Sequence, residues 1–132
     1  VTKFITPSIA GIGTIITNFV GDWESSLLLL LIVVIIIDYI SGLIAAGIKG
    51  ELSSSFGLKG IGKKVLIFSI VTVAHLLDSI LGNQHYIRDA TILFYLVNEI
   101  LSIIENAGRA GVPVPTVLIN AVKALKERRN KK

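Results

Sequence analysis

Residues 27–48 read LLLLLIVVIIIDYISGLIAAGI, and the reading of this stretch decides the fold. Its 22 residues hold a single charge, Asp38. At about 1.5 Å of rise per residue, a helix of this length spans roughly 33 Å, enough to cross a hydrocarbon core of about 30 Å. A central strand or helix of a soluble α/β protein fails on length. The stretch predicts a membrane-spanning helix.

Two more segments reach spanning length. Residues 65–82 (VLIFSIVTVAHLLDSILG) are apolar apart from one polar row, with Lys63 and Lys64 at their start, placed to snorkel to lipid headgroups. Residues 90–107 (ATILFYLVNEILSIIENA) carry Asn98, Glu99 and Glu105, so a surface amphipathic helix is their alternative reading. Upstream, residues 2–20 are apolar but broken by Pro7, Gly11 and Gly13, and read as an interfacial amphipathic helix or, as an alternative, a further span. Downstream, Pro113 and Pro115 mark a turn. Beyond it Val117, Leu118, Ala121, Val122 and Leu125 recur at helical spacing, giving a short basic amphipathic helix. The expected fold is an all-α integral membrane protein. Residues 1–24 form an amphipathic segment, 25–108 a three-helix transmembrane domain, and 109–132 a basic tail.

The whole composition agrees. The chain of 132 residues is 52% hydrophobic and 17% charged, with a mean hydropathy of +0.77, whereas soluble domains carry about 25% charged residues. It has no cysteine, which excludes disulfides, thiolate metal sites and a cysteine nucleophile. Two histidines, His75 and His85, are too few for a zinc site, and no metal or other cofactor is expected. The N-terminal stretch, with Lys3 before weakly apolar residues, lacks the pattern of a cleavable signal.

Charge sets the expected topology. The loop after the first span holds Lys49, Lys59, Lys63 and Lys64 against Glu51. The tail holds Arg109, Lys123, Lys126, Arg128, Arg129, Lys131 and Lys132. Between spans two and three, Arg88 is cancelled by Asp89. Positive segments stay cytoplasmic, so three spans with the N-terminus outside and the C-terminus inside satisfy every loop. Lys63, Lys64, Lys123, Lys126, Arg128 and Arg129 are the candidates for binding lipid headgroups. A basic tail beside a membrane attracts anionic lipid more simply than nucleic acid, and no nucleic-acid partner is expected.

The polar residues inside the spans are the candidate functional groups, because an ionisable residue at the centre of a span costs roughly 2.5–3.5 kcal/mol to insert. Asp38 with Ser41, Gly42, Ala45 and Ala46 makes one face of span one. In span two Ser69, Thr72, His75, Asp78 and Ser79 make a stripe. In span three Thr91, Tyr95, Asn98, Ser102 and Glu105 step by four and three, the spacing of a left-handed helix seam, with Glu99 beside it. These rows either line water in an oligomeric pore or hydrogen-bond one another within one bundle. Glu99 is expected to be protonated or paired in a helix contact in the sealed state. His75, Asp78 and Ser79 do not make a catalytic triad, since adjacent helical residues point about 100° apart. Gly57, Gly60, Gly62 and Lys63 lack the Walker spacing, and the glycines are expected to let a loop turn at the interface.

Asp38-Tyr39-Ile40-Ser41-Gly42 at the end of an aliphatic helix, followed by Ser53-Ser54-Ser55-Phe56-Gly57-Leu58-Lys59-Gly60-Ile61-Gly62-Lys63-Lys64, resembles the toxin-secretion/phage-lysis holin family (phage holin family 4). That group includes the clostridial toxin-export holin. The resemblance runs from about residue 25 to the tail. It implies a homo-oligomer in a bacterial cytoplasmic membrane that forms lesions, releasing an endolysin to the cell wall or exporting a toxin. It implies no enzyme activity. The residues alone support a self-associating membrane protein, which leaves open a small ion channel or transporter subunit, or a passive membrane anchor.

Overall fold

The computed structural model describes Gly11 and residues 26–130, and the expected N-terminal amphipathic segment, including whether it inserts, otherwise lies outside the described residues. Four helices follow, α1 (Ser26–Ile48), α2 (Ser54–Leu81), α3 (Tyr86–Arg109) and α4 (Thr116–Asn130), and there is no strand among the described residues.

The first and third helices lie close to the expected bounds, but α2 does not. Residues 54–64, expected as a glycine-rich interfacial loop, are the first three turns of a 28-residue helix. Ser53 starts it: its hydroxyl accepts the Phe56 N–H at 3.1 Å, a cap that contributes about 1 kcal/mol. Glycine in a helix costs roughly 0.5–1 kcal/mol relative to alanine, and here contact with α1 offsets that cost, as described below. The helix stops at Gly82, whose left-handed backbone (φ 70°) lets its N–H return to the Asp78 carbonyl.

α3 is the central element. It packs most extensively along α1, then against α2 and α4, whereas α1 and α2 touch each other least. Each helix of the bundle turns a line of roughly 3.5-residue spacing inward. On α1 the buried line is Leu28, Leu31, Ile35, Asp38 and Ala45, and on α2 it is Val71, Ala74 and Asp78. On α3 it is Ile92, Leu96, Glu99 and Asn106. The apolar members form one core cluster, with Ile67, Phe68, Ile100 and Ile103 packed against it. The period expected for α3 is right, but the seam lies one residue further along, a turn of about 100°. Ile92, Leu96 and Ile103 claim the packed line. Thr91, Tyr95, Asn98 and Ser102 are left half-buried at its edge, and Glu105 is exposed.

The outside of the bundle is apolar. Ile36, Ile44, Leu66 and Ile80 are exposed at 52%, 54%, 61% and 79%, an uncovered surface far larger than soluble monomers display. α1 and α2 are each long and apolar enough to cross a membrane.

Candidate functional site

Three charged side chains meet inside the bundle. Asp38 on α1, Lys64 on α2 and Glu99 on α3 each sit ten residues in from the end of their helix nearest the α1–α2 turn, so they share one depth. The Lys64 ammonium donates to Asp38 Oδ2, and to Glu99 Oε2 at 2.7 Å. Both carboxylates are buried, and the lysine side chain is 19% exposed. Lys64, expected at the lipid headgroups, therefore turns inward: two carboxylates at its level outweigh the headgroup layer as partners. Lys63, one residue earlier and about 100° round the helix, stays exposed.

Asn106 completes the site. It is buried, and its Nδ2 lies 3.1 Å from Asp38 Oδ1, 3.2 Å from the Asp38 carbonyl and 3.0 Å from Ser41 Oγ. Ser41 in turn donates to the Asp38 carbonyl at 3.0 Å. Beside this cluster Tyr39 lies across α2, its hydroxyl donating to the Gly57 carbonyl at 3.2 Å. A Cβ at Gly60 would stand 3.1 Å from the Tyr39 ring, and one at Gly57 3.4 Å from its hydroxyl. Glycine is favoured here because the Tyr39 side chain comes this close to the helix backbone. The aspartate–aromatic–glycine segment and the glycine–lysine segment are thus two halves of one junction. Glu51 and Arg109, exposed and 2.7 Å apart, tie its outer edge.

A second polar cluster closes the opposite end. Buried Asp78 accepts the backbone N–H of Ile87 at 2.9 Å and of Arg88 at 2.8 Å. It caps the start of α3 from across the turn. Arg88 is fully buried, with Nε 3.1 Å from Asp89 Oδ1 and Nη1 3.4 Å from His75 Nδ1. His75 stacks on His85 with ring centroids 5.8 Å apart.

The other candidates divide by position. The hydroxyls of Thr72 and Thr91 donate to carbonyls four residues back, Phe68 and Ile87, both at 2.8 Å. Ser69 and Ser79 do the same while exposed, so the hydroxyl stripe satisfies itself along its own helix. Ser102 and Gly42 border the Asp38 cluster. Tyr95 meets Phe94 edge to face at 5.1 Å. Lys123, Lys126 and Arg128 are exposed on α4, and the Arg129 side chain lies outside the described ones. The partners Lys64 and Asn106, and the buried Arg88, were missed in the sequence. The signal available was a lysine ten residues into a segment that a serine cap could start. Among the described residues no group of three or more His, Cys, Asp or Glu could hold a metal ion.

A family model described as "Bacteriophage holin family" matches residues 14–127. An uncharacterized protein of Listeria monocytogenes is 48% identical over 114 residues, covering 86% of this chain and 81% of its own. An uncharacterized 14.9 kDa protein of Clostridium perfringens is 40% identical over 130 residues, 98% of both chains. A protein described as a "probable holin" of Bacillus phage phi105 is 37% identical over 96 residues, covering 73% of this chain and 71% of its own. No solved structure matches.

Proposed function

Since this chain belongs to the bacteriophage holin family, whose members permeabilise membranes and are not enzymes, we propose that it is a holin of the bacterial cytoplasmic membrane. It crosses three times through α1, α2 and α3, residues 25–108, with the N-terminus outside and the basic tail, 109–132, in the cytoplasm. It accumulates as sealed bundles, then oligomerises into lesions that let an endolysin reach the cell wall. The observation that carries the reading is the family match across almost the whole chain. Geometry adds a reason for two states. A junction of two carboxylates and one ammonium at one depth holds three helices together, yet such groups are also stable facing water.

In the sealed bundle Asp38, Glu99 and Lys64 satisfy one another. In the lesion they separate and face water, together with the polar edge formed by Ser41, Thr72, His75, Thr91, Tyr95, Asn98, Ser102 and Glu105. Gly42 and Asp78 act at helix contacts. Lys63, Lys123, Lys126, Arg128 and Arg129 hold the cytoplasmic leaflet.

Expression in a bacterium, with and without a co-expressed endolysin lacking its own export signal, tests the proposal. The expected result is an abrupt fall in culture density after a delay, only when both are present, with leakage of large dyes at the same moment. Leakage of small ions alone would identify a selective channel instead. No leakage with normal insertion would identify an anchor.

A further inference from the structure

The junction is flanked by two cavities that it does not use itself. One, of about 260 Å³, has a mixed lining and is open on one side: Lys59, Lys63, Lys64, Ser102 and Asn106 border it together with Tyr39 and Phe56, and Asp38 and Gly60 are also at its wall. The other, of about 400 Å³, is an apolar groove lined by Ile36, Tyr39, Ile40, Ile61, Val65 and Phe68. They meet at Tyr39 and Lys64, which line both. Together they fall within the about 300–1,000 Å³ typical of ligand sites.

Their charge is unbalanced in one direction. Asp38 at the polar wall is already held by Lys64 and Asn106. Lys59 and Lys63 are exposed at the mouth and form no ion pair among the described residues. Among the described residues the cavity offers two exposed ammonium groups above an apolar trough, the complement of a phosphodiester attached to a hydrocarbon chain. The trough exists because α1 and α2 pack on each other least. Tyr39 at Gly57 and Gly60 and the Lys64–Asp38 pair hold them together, and the trough lies beside these contacts. The depth also fits: α2 has 28 residues, about eight more than a span requires, so its first two turns, with Lys59, reach the headgroup layer, and Lys63, one turn deeper, reaches it by snorkelling.

We infer that the paired cavities bind one anionic phospholipid of the phosphatidylglycerol type, its phosphate at Lys59 and Lys63 and one acyl chain along the α1–α2 groove. The inference rests on the proposed spanning of α1 and α2. The bound lipid fills the gap between the two helices and stabilises the sealed bundle, which makes the lipid a regulator of opening.

Because the chain has no cysteine, single labels report each position cleanly. Full-length Ile40→Cys, inside the groove, and Leu66→Cys, exposed on α2 outside both cavities, are labelled with a bimane fluorophore. Each is reconstituted in vesicles containing chain-brominated phosphatidylglycerol or phosphatidylcholine. Quenching at position 40 should favour phosphatidylglycerol by about threefold or more, with no preference at position 66. K59Q/K63Q should abolish the preference at 40 while quenching itself persists. Equal preference at both positions means diffuse charge attraction and overturns the site, as does preference that survives K59Q/K63Q. Quenching at 66 but by neither lipid at 40 means that protein, such as a second copy, covers the groove, and also overturns it. Loss of quenching at both positions overturns the spanning reading itself.

Discussion

Lys64 is shared between two carboxylates, and the arithmetic of that sharing sets what substitutions do. One ammonium facing Asp38 and Glu99 leaves negative charge in excess inside the bundle when both acids are ionised. Glu99→Gln removes the excess and keeps a one-to-one pair. The sealed state is thereby stabilised, and lysis onset should be delayed or abolished at normal expression, as read from culture density. An unchanged schedule would mean that this charge plays no part in opening. Lys64→Met does the opposite, leaving two carboxylates without a cation. Loss of one member of a buried pair costs about 3–5 kcal/mol, so thermal unfolding in detergent should fall sharply, with Glu99→Gln in the same chain restoring part of it. Gly60 and Gly62 make a second contrast. A methyl at Gly60 meets the Tyr39 ring at 3.1 Å, whereas Gly62 has nothing within 4 Å. Gly60→Ala should destabilise by about 1–3 kcal/mol through overpacking, and Gly62→Ala should stabilise by about 0.5–1 kcal/mol through helix propensity. Equal responses would show that Tyr39 does not rest on the helix.

At the level of helices, the start of α3 depends on a residue of α2. Asp78 caps it through two backbone N–H groups, while His85 at the cap position makes no side-chain cap bond. Asp78→Ala leaves both donors unmet and should cost up to about 2 kcal/mol, at the upper end of cap substitutions because the site is buried. Asp78→Asn retains one acceptor and should lose less. Hydrogen exchange at the amides of residues 87 and 88 checks this directly: faster exchange confined to the first turn of α3 is expected, and unchanged protection would remove Asp78 from the cap.

For the whole molecule, charge distribution makes the topology testable. A membrane-impermeant thiol reagent applied to intact cells should modify Asn83→Cys in the α2–α3 turn but not Ser54→Cys at the start of α2. Both positions are exposed, so the reverse pattern would invert the protein in the membrane. The tail is expected to tune timing. Exposed Lys126 and Arg128 near an anionic leaflet contribute about 1 kcal/mol per basic residue, and they take no part in the buried junction. Deletion of residues 126–132 should shift lysis onset and spare permeabilisation. Complete loss of permeabilisation with normal insertion would place the tail in the lesion itself.

Hydropathy along the chain, without any tertiary information, determined where α1, α3 and α4 run and that the molecule belongs in a membrane. A run such as residues 27–48 is long and apolar enough to cross one. The same sequence carried the family through its two motifs, and it marked Asp38, Asp78 and Glu99 as costly groups that need partners. Tertiary structure alone decided what those partners are. Lys64 lies 26 residues from Asp38 and 35 from Glu99, and whether it meets them depends on how three helices rotate about their axes. A periodic pattern defines that rotation only to within a residue, about 100°. For this reason the polar row of Thr91, Tyr95, Asn98, Ser102 and Glu105 is displaced by one residue from the packed line of Ile92, Leu96, Glu99 and Asn106. Local glycine content likewise favours a loop over residues 54–64. The Tyr39 side chain of another helix, its hydroxyl at Gly57 and its ring at Gly60, supplies a contact that the glycines of a helix can accept, together with the Ser53 cap.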